Sequence, residues 1–348
     1  MLELANQSHW AAGIYPGWGK DKNYQYTLVV KQSFNFELTG ELVATNESTV
    51  IRQQDEYHGD PLQSSLKSAN EVAPFKQGSE IIIVGTAYPH KPQAKASPVK
   101  VEIKGDTLQW KKELVVSGTR IWTKGFLGLK ASEARILKPT PLTYEFSYGG
   151  SHPENEEIVV ETNPAGMGYV GKGKNIENVK LPQIEAMDSL ISSPKDTPVA
   201  AGFAPIAPFW SPRDQLNQDI NEQAARNGDC HYGNNVPDNL HHCAPEDQQF
   251  SQAFTGKEMI SLSGFFESVR SINLRLALET PDMILLDSEQ EEYLTPVLDT
   301  IIINTDVQTV ECLWRCAIPH ERTETEIGWV YVRDEATTQQ LEQEFQTA

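Results

Sequence analysis

The sequence predicts a mainly β protein of antiparallel sheets, sandwich- or barrel-like, with few short helices. Three observations carry that reading. Runs rich in aromatic and β-branched residues recur along the chain, glycine and proline break them at short intervals, and a helical apolar period is confined to two short stretches. The expected organisation is two β-rich lobes, 1–150 and 214–348, joined by an ordered Pro/Gly-rich strap over 151–213.

The first long strand is expected over 24–36, where apolar and polar side chains alternate at the ends around Leu28-Val29-Val30, the pattern of one buried face. Gly40 breaks it and 41–44 begins again, which predicts a hairpin. Further strands are predicted over 80–86, 99–103 and 107–116. Lys104-Gly105-Asp106 forms the turn between the last two, glycine supplying a positive φ. Thr143 to Tyr148 reads as a strand stopped by Gly149-Gly150. In the strap, Pro153, Pro164, Pro182, Pro194, Pro198, Pro205, Pro208 and Pro212 deny long ladders or helices, while Val199, Phe203, Ile206, Phe209 and Trp210 give it something to pack. A short helix is expected near 215–226, with Gly228 as its stop. Strands resume over 259–262, 272–278, 299–304 and 308–317. The tail, 334–345, reads as a helix with Leu341 and Phe345 at helical spacing.

The 348 residues include 29 basic and 48 acidic side chains, a formal charge of −19. A field of that sign repels phosphate backbones and anionic lipid surfaces and attracts basic partners, so neither nucleic acid nor membrane is an expected partner. The most apolar windows, 80–85 and 300–304, are far shorter than the roughly 20 residues a bilayer requires, and the N-terminus shows no secretory pattern. Cys230, Cys243, Cys312 and Cys316 are too few for a disulfide framework and read as reduced thiols in a reducing compartment, as in a cytoplasm.

Several constellations invite chemistry, and each has a plainer reading. Gly166 to Lys174 is glycine-rich with two lysines, but no strand leads into it and the phosphate-loop spacing is absent. Cys230, His231, His241, His242 and Cys243 are donors a zinc ion accepts, yet pairing Cys directly with His matches no finger spacing. His58-Gly59-Asp60-Pro61 is a tight turn before it is a base and its orienting carboxylate. Acidic runs such as Glu154, Glu156 and Glu157 or Glu289, Glu291 and Glu292 read as solvated loops. No catalytic residue, metal or cofactor is expected.

Spaced motifs in fixed order resemble one family. They are Val29-Val30-Lys31-Gln32-Ser33-Phe34, Gly59-Asp60-Pro61-Leu62, Ala73-Pro74-Phe75-Lys76, the 79–85 strand, Gly118-Thr119-Arg120-Ile121-Trp122 and Pro141-Leu142-Thr143-Tyr144-Glu145. Tyr148-Gly149-Gly150, Asn163-Pro164-Ala165-Gly166-Met167-Gly168-Tyr169, Gly202-Phe203-Ala204-Pro205, Trp210-Ser211-Pro212-Arg213, Ala244 to Gln248, Gly256-Lys257-Glu258 and Leu313-Trp314-Arg315 follow. Across nearly the whole chain this resembles the domain-of-unknown-function family 2169, found with bacterial type VI secretion systems. Glu145-Phe146 and Lys257 depart from its usual pattern.

The resemblance implies a cytoplasmic adaptor or chaperone, not an enzyme. Such a protein binds a PAAR-type effector and helps load it onto the secretion spike. An enzyme with an unrecognised, perhaps hydrolytic, site and a structural component of a secretion or surface assembly are the alternatives. Trp18, Phe209 and Trp210, beside Gly or Pro, are the candidate partner-binding aromatics. Trp122, Tyr144, Gly149, Gly150, Asn163 and Pro164 are expected to hold the fold together, Asn163 by bonding its own turn.

Overall fold

The structure is a computed structural model that describes residues 2–45, 49–126, 128–152, 155–171, 176–217, 219–286, 291–320 and 328–347. Lys172, Gly173, Lys174, Pro153, Glu154 and Glu289 lie outside the described residues. Besides several two-stranded pairs, the three main sheets take from the first part of the chain β1 (Leu2–Asn6), β2 (Ala11–Trp18), β3 (Tyr24–Phe36), β4 (Leu42–Ala44), β5 (Ser79–Val84), β6 (Ala96–Lys104), β7 (Gln109–Ser117) and β8 (Ile184–Ala186). The second half adds β9 (Gln249–Phe250), β10 (Met259–Ser263), β11 (Ser271–Arg275), β12 (Asp282–Leu286), β13 (Glu291–Leu294), β14 (Val297–Asn304), β15 (Thr309–Pro319) and β16 (Gly328–Arg333).

Among the described residues the largest sheet runs β9-β5-β14-β15-β3-β2, with β4 paired to β3. A five-stranded sheet runs β8-β7-β6-β10-β11, and a four-stranded sheet β1-β16-β12-β13. Neighbours are antiparallel except β5 with β14 and β1 with β16. The protein is therefore mainly β, and its sheets stay open, so the barrel form drops out. Each of these sheets interleaves strands from both ends of the chain: β3 lies beside β15, β6 beside β10, and β1 beside β16.

Period-two alternation sorts the side chains between layers. Ile81 and Ile83 of β5 enter one core, together with Leu28, Val101, Leu114, Ile260, Leu274, Ile301, Met283 and Val330. That core is shared by all three sheets. Ile82, between Ile81 and Ile83, points the other way, into a second cluster with Tyr144, Ala204 and Trp210. Val29 and Leu313 join Ile51 in a third cluster on this outer side. The large sheet is thus covered on both faces, which explains the unbroken Ile81-Ile82-Ile83 run in place of alternation. Residues 49–76 and 201–213 supply the outer cover.

Local turn chemistry shapes the ends. Helix α1 (Glu222–Asn227) is capped by the Asn221 side chain, which accepts from the Ala224 amide at 3.1 Å, and stops at Gly228 with φ 78°. A 3-10 turn, Arg213–Asn217, precedes it. Helix α2 (Glu335–Thr347) starts where Asp334 accepts from the Thr337 amide at 2.8 Å. Two expectations are corrected. Tyr144–Phe146 is a 3-10 turn, not a strand: the Phe146 and Ser147 amides donate to the Thr143 and Tyr144 carbonyls, and the strand that follows is only Tyr148–Gly149, paired parallel to Met167–Gly168. Gly105 closes the β6–β7 turn without a positive φ, and a Cβ there would sit 3.1 Å from Glu258. Strands β1, β2, β12, β13 and β16 were not read from the sequence at all.

Candidate partner-binding site

The outer face of the large sheet carries charge where a core would be apolar. Lys31 on β3 is buried and its Nζ lies 2.9 Å from Glu71 Oε1 and 3.1 Å from Glu311 Oε1. Arg52 pairs with the same two carboxylates. Arg315 on β15 pairs with Asp299 and donates to the Glu71 carbonyl. Lys76 pairs with Glu80 and donates to Thr300 Oγ1 at 2.8 Å. Glu80 also accepts the Cys243 and Ala244 amides at 2.7 and 2.8 Å. Lys31, Arg52, Lys76 and Arg315 thus balance Glu71, Glu80, Asp299 and Glu311.

The electrostatics follow from burial and pairing. Burial opposes ionisation of Glu80, but Lys76, the His242 ring and the Ala244 amide outweigh it and hold the carboxyl at about 2. Glu311 is also burdened by burial and still falls below its ordinary value, because Lys31 and Arg52 face it. Burial, reinforced by Lys76, drives His241 down to about 3. Burial also lowers His242 and pushes the Cys243 thiol up to about 12. Ion pairs this deep specify a register more than they add stability, and losing one partner costs about 3–5 kcal/mol. Here they tie residues 52, 71, 76 and 243–244 to defined points on the sheet.

Between its covering segments this face opens into a cleft of about 550 Å³. Ile82 and Ile302 floor it, and Arg52, Lys67, Leu142 and Pro205 stand around it. Glu56 and His58 also line it, and Tyr57 between them stacks on Phe209 at 6.0 Å. Phe209 is 43% exposed, and Val307, which lines the cleft, is exposed as well. The arrangement is an apolar floor with charged walls and aromatic and aliphatic side chains beside it. It offers a socket for a protruding side chain and polar contacts for the backbone around it.

The expected aromatics divide. Phe209 stands beside the cleft. Trp210 is 1% exposed and packs edge-on against Tyr144 at 5.9 Å, so it anchors the strap and presents no surface to a partner. Trp18 lies on β2, half-buried against Tyr24 at 5.0 Å, and does not line the cleft. The Cys/His group is dispersed in its contacts. His241 meets Tyr232 Oη at 3.2 Å and the Phe75 ring at 4.6 Å, while Cys243 Sγ lies 3.4 Å from Glu80. His231 packs on Tyr232, and Cys230 is a half-buried free thiol. Among the described residues no three His, Cys, Asp or Glu side chains converge on a point a metal could occupy.

Trp122 and Tyr144 are buried in separate clusters. A Cβ on Gly149 would collide with the Asn163 carbonyl, and one on Gly150, at φ 90°, with the Gly166 carbonyl. Asn163 is fully buried and Pro164 half-buried. The Asn163 side chain does not bond its own turn; it donates to the Tyr144 and Tyr148 carbonyls at 2.8 and 3.0 Å. Its backbone carbonyl closes the turn instead, accepting from Gly166. At His58 the chain does form a tight turn, with the Leu62 amide on Asp60 Oδ1 at 2.9 Å.

Sequence reasoning missed Lys31, Glu71, Glu80, Asp299, Glu311 and Arg315 as a group. The signal was present: Lys31 follows Val29-Val30, Glu80 precedes three isoleucines, and Arg315 follows Leu313-Trp314. A charge inside an apolar strand run needs a buried partner. Gln248 was also missed; its Nε2 donates to the carbonyls of Ile81 and Phe203 at 2.7 and 3.0 Å, bolting the strap to β5.

A family model described as an uncharacterized protein conserved in bacteria (DUF2169) matches residues 21–315. No curated protein and no solved structure matches the chain.

Proposed function

The chain belongs to the DUF2169 family, and on that premise we propose that it is a cytoplasmic adaptor or chaperone that binds a PAAR-type effector and helps load it onto the type VI secretion spike. The observation that carries this reading is a convergence. Segments that resemble the family pattern meet at one place: Ile82 and Gly85, Leu142 and Thr143, and Ala204 and Pro205 all line the cleft. Lys76 and Arg315, from two more such segments, sit in the ionic network of the same face. Shared chemistry concentrated around an open apolar-floored cleft suits recognition of another protein. The charge of −19 suits a soluble escort for a basic or aggregation-prone client.

Co-expression with the PAAR effector encoded nearest to this chain, followed by size-exclusion chromatography at low and high salt, tests the reading. Co-elution is expected at both, weaker at high salt as charged rim contacts are screened. Absence of co-elution at either salt, with both proteins folded, overturns it.

A further inference from the structure

Strand β16 lies between β1 and β12 and carries aromatic side chains on its outward face. Val330 and Val332 point into the core, while Trp329 and Tyr331 point out. Cross-strand register extends this aromatic surface. Glu3, Trp329, Leu286 and Glu291 lie in one row across β1, β16, β12 and β13, and Ala5, Tyr331, Ile284 and Tyr293 form the next, in which Ile284 is buried. Trp329 is 38% exposed, Leu286 37% and Tyr293 65%. The Trp329 and Tyr331 rings lie 6.5 Å apart, and the Arg333 guanidinium covers Tyr331 at 5.1 Å. Exposed apolar patches with polar rims mark interaction sites, and Trp and Tyr are enriched at their centres.

We infer that this face docks an extended, basic segment of the client, at a place separate from the cleft. The inference rests on the adaptor reading. Its first row has a carboxylate at each end with Trp329 and Leu286 between them. Three inter-strand steps of about 4.8 Å put the two carboxylate-bearing strands roughly 14 Å apart. An extended chain rises about 3.4 Å per residue, so side chains at i and i+4 on one of its faces are also about 14 Å apart. A segment with Lys or Arg at i and i+4 and an apolar residue at i+2 therefore matches the row when laid across the strands. Its cations meet Glu3 and Glu291, and its apolar side chain rests on Trp329 and Leu286.

The test uses the full chain and the co-expressed effector. A Trp329→Ala/Tyr293→Ala variant is expected to raise the Kd at least tenfold, with an unchanged melting temperature. A Glu3→Gln/Glu291→Gln variant should weaken binding less and flatten its salt dependence. Hydrogen exchange of the wild-type complex reads the same face without any mutation, and slower exchange is expected in 282–286 and 328–333. Wild-type affinity in both variants with no added protection overturns the inference and leaves the adaptor reading standing. No binding by the wild-type chain overturns both. A wild-type dimer that the aromatic variant dissociates assigns the face to a second copy and overturns client docking.

Discussion

Phe209 and Trp210 are neighbours in sequence with opposite surroundings. Trp210 fills the space between Tyr144 and the outer face of the sheet, whereas Phe209 lies on Tyr57 with much of its ring in solvent. Trp210→Ala should therefore cost about 3–5 kcal/mol, the range for emptying a buried aromatic site. Phe209→Ala should stay within about 1 kcal/mol and instead weaken effector binding. Denaturant unfolding and a binding isotherm on the same two variants check this; equal stability losses would remove Phe209 from the partner surface. Gly149 is the other residue whose role is local. With the Asn163 carbonyl where a Cβ would go, Gly149→Val should lower the melting temperature, while Phe209→Ala should not.

At the scale of elements, the strap has only short ladders, such as β8 on β7 and Ser151–His152 with Asn155–Val159, and its last part is held largely by single hydrogen bonds from ordered neighbours. Gln248 spans from β5 to the strap carbonyl of Phe203, and Ser147 Oγ donates to the Ala201 carbonyl at 2.7 Å. Gln248→Leu keeps the bulk and removes the side-chain donor from the Ile81 and Phe203 carbonyls; the Phe203 carbonyl keeps the Ile83 amide at 3.2 Å, so the expected loss is about 1–3 kcal/mol in all. Limited proteolysis should then cut within 195–215 faster than in the wild-type chain. An unchanged cleavage pattern would show that the apolar contacts of Phe203 and Trp210 hold the strap without it.

For the whole molecule the buried groups dictate how stability follows pH. His241 is held at about 3 against an ordinary value of 6.5, and His242 is lowered too, both chiefly by burial. Groups with depressed folded values protonate more readily when unfolded, so their contribution is complete above about 6.5 and declines as pH falls. Glu80, at about 2 against 4.5, adds a second loss on the order of 3 kcal/mol between those two values. Glu185, raised by burial despite Arg120, acts in the opposite sense in the acid range. Melting temperature should be flat between about pH 7 and 8, decline below about pH 6.5 and fall steeply below about 4.5, while the raised Cys243 and Cys316 thiols add a separate decline above about pH 9. Glu80→Gln should soften the lower limb, and a profile flat down to pH 4 would contradict these assignments.

Strand character and the two helices were legible in the sequence because they are local: β-branched and aromatic runs, an Asn221 cap, a Gly228 stop. The expected strand over 24–36 coincides with Tyr24–Phe36, and the tail helix begins one residue after its expected start. The family-like motifs were legible too, since each is a short ordered string. The tertiary structure decided what those strings are near. Lys31 needs Glu71 and Glu311, β3 needs β15, and Trp329 meets Leu286 only because β16 pairs with β12. Pairing at such separations depends on which apolar faces and which charges complement each other once the chain closes on itself. Periodicity within one segment carries none of that, so the ionic network, the cleft and the outward aromatic face appear only in the folded molecule.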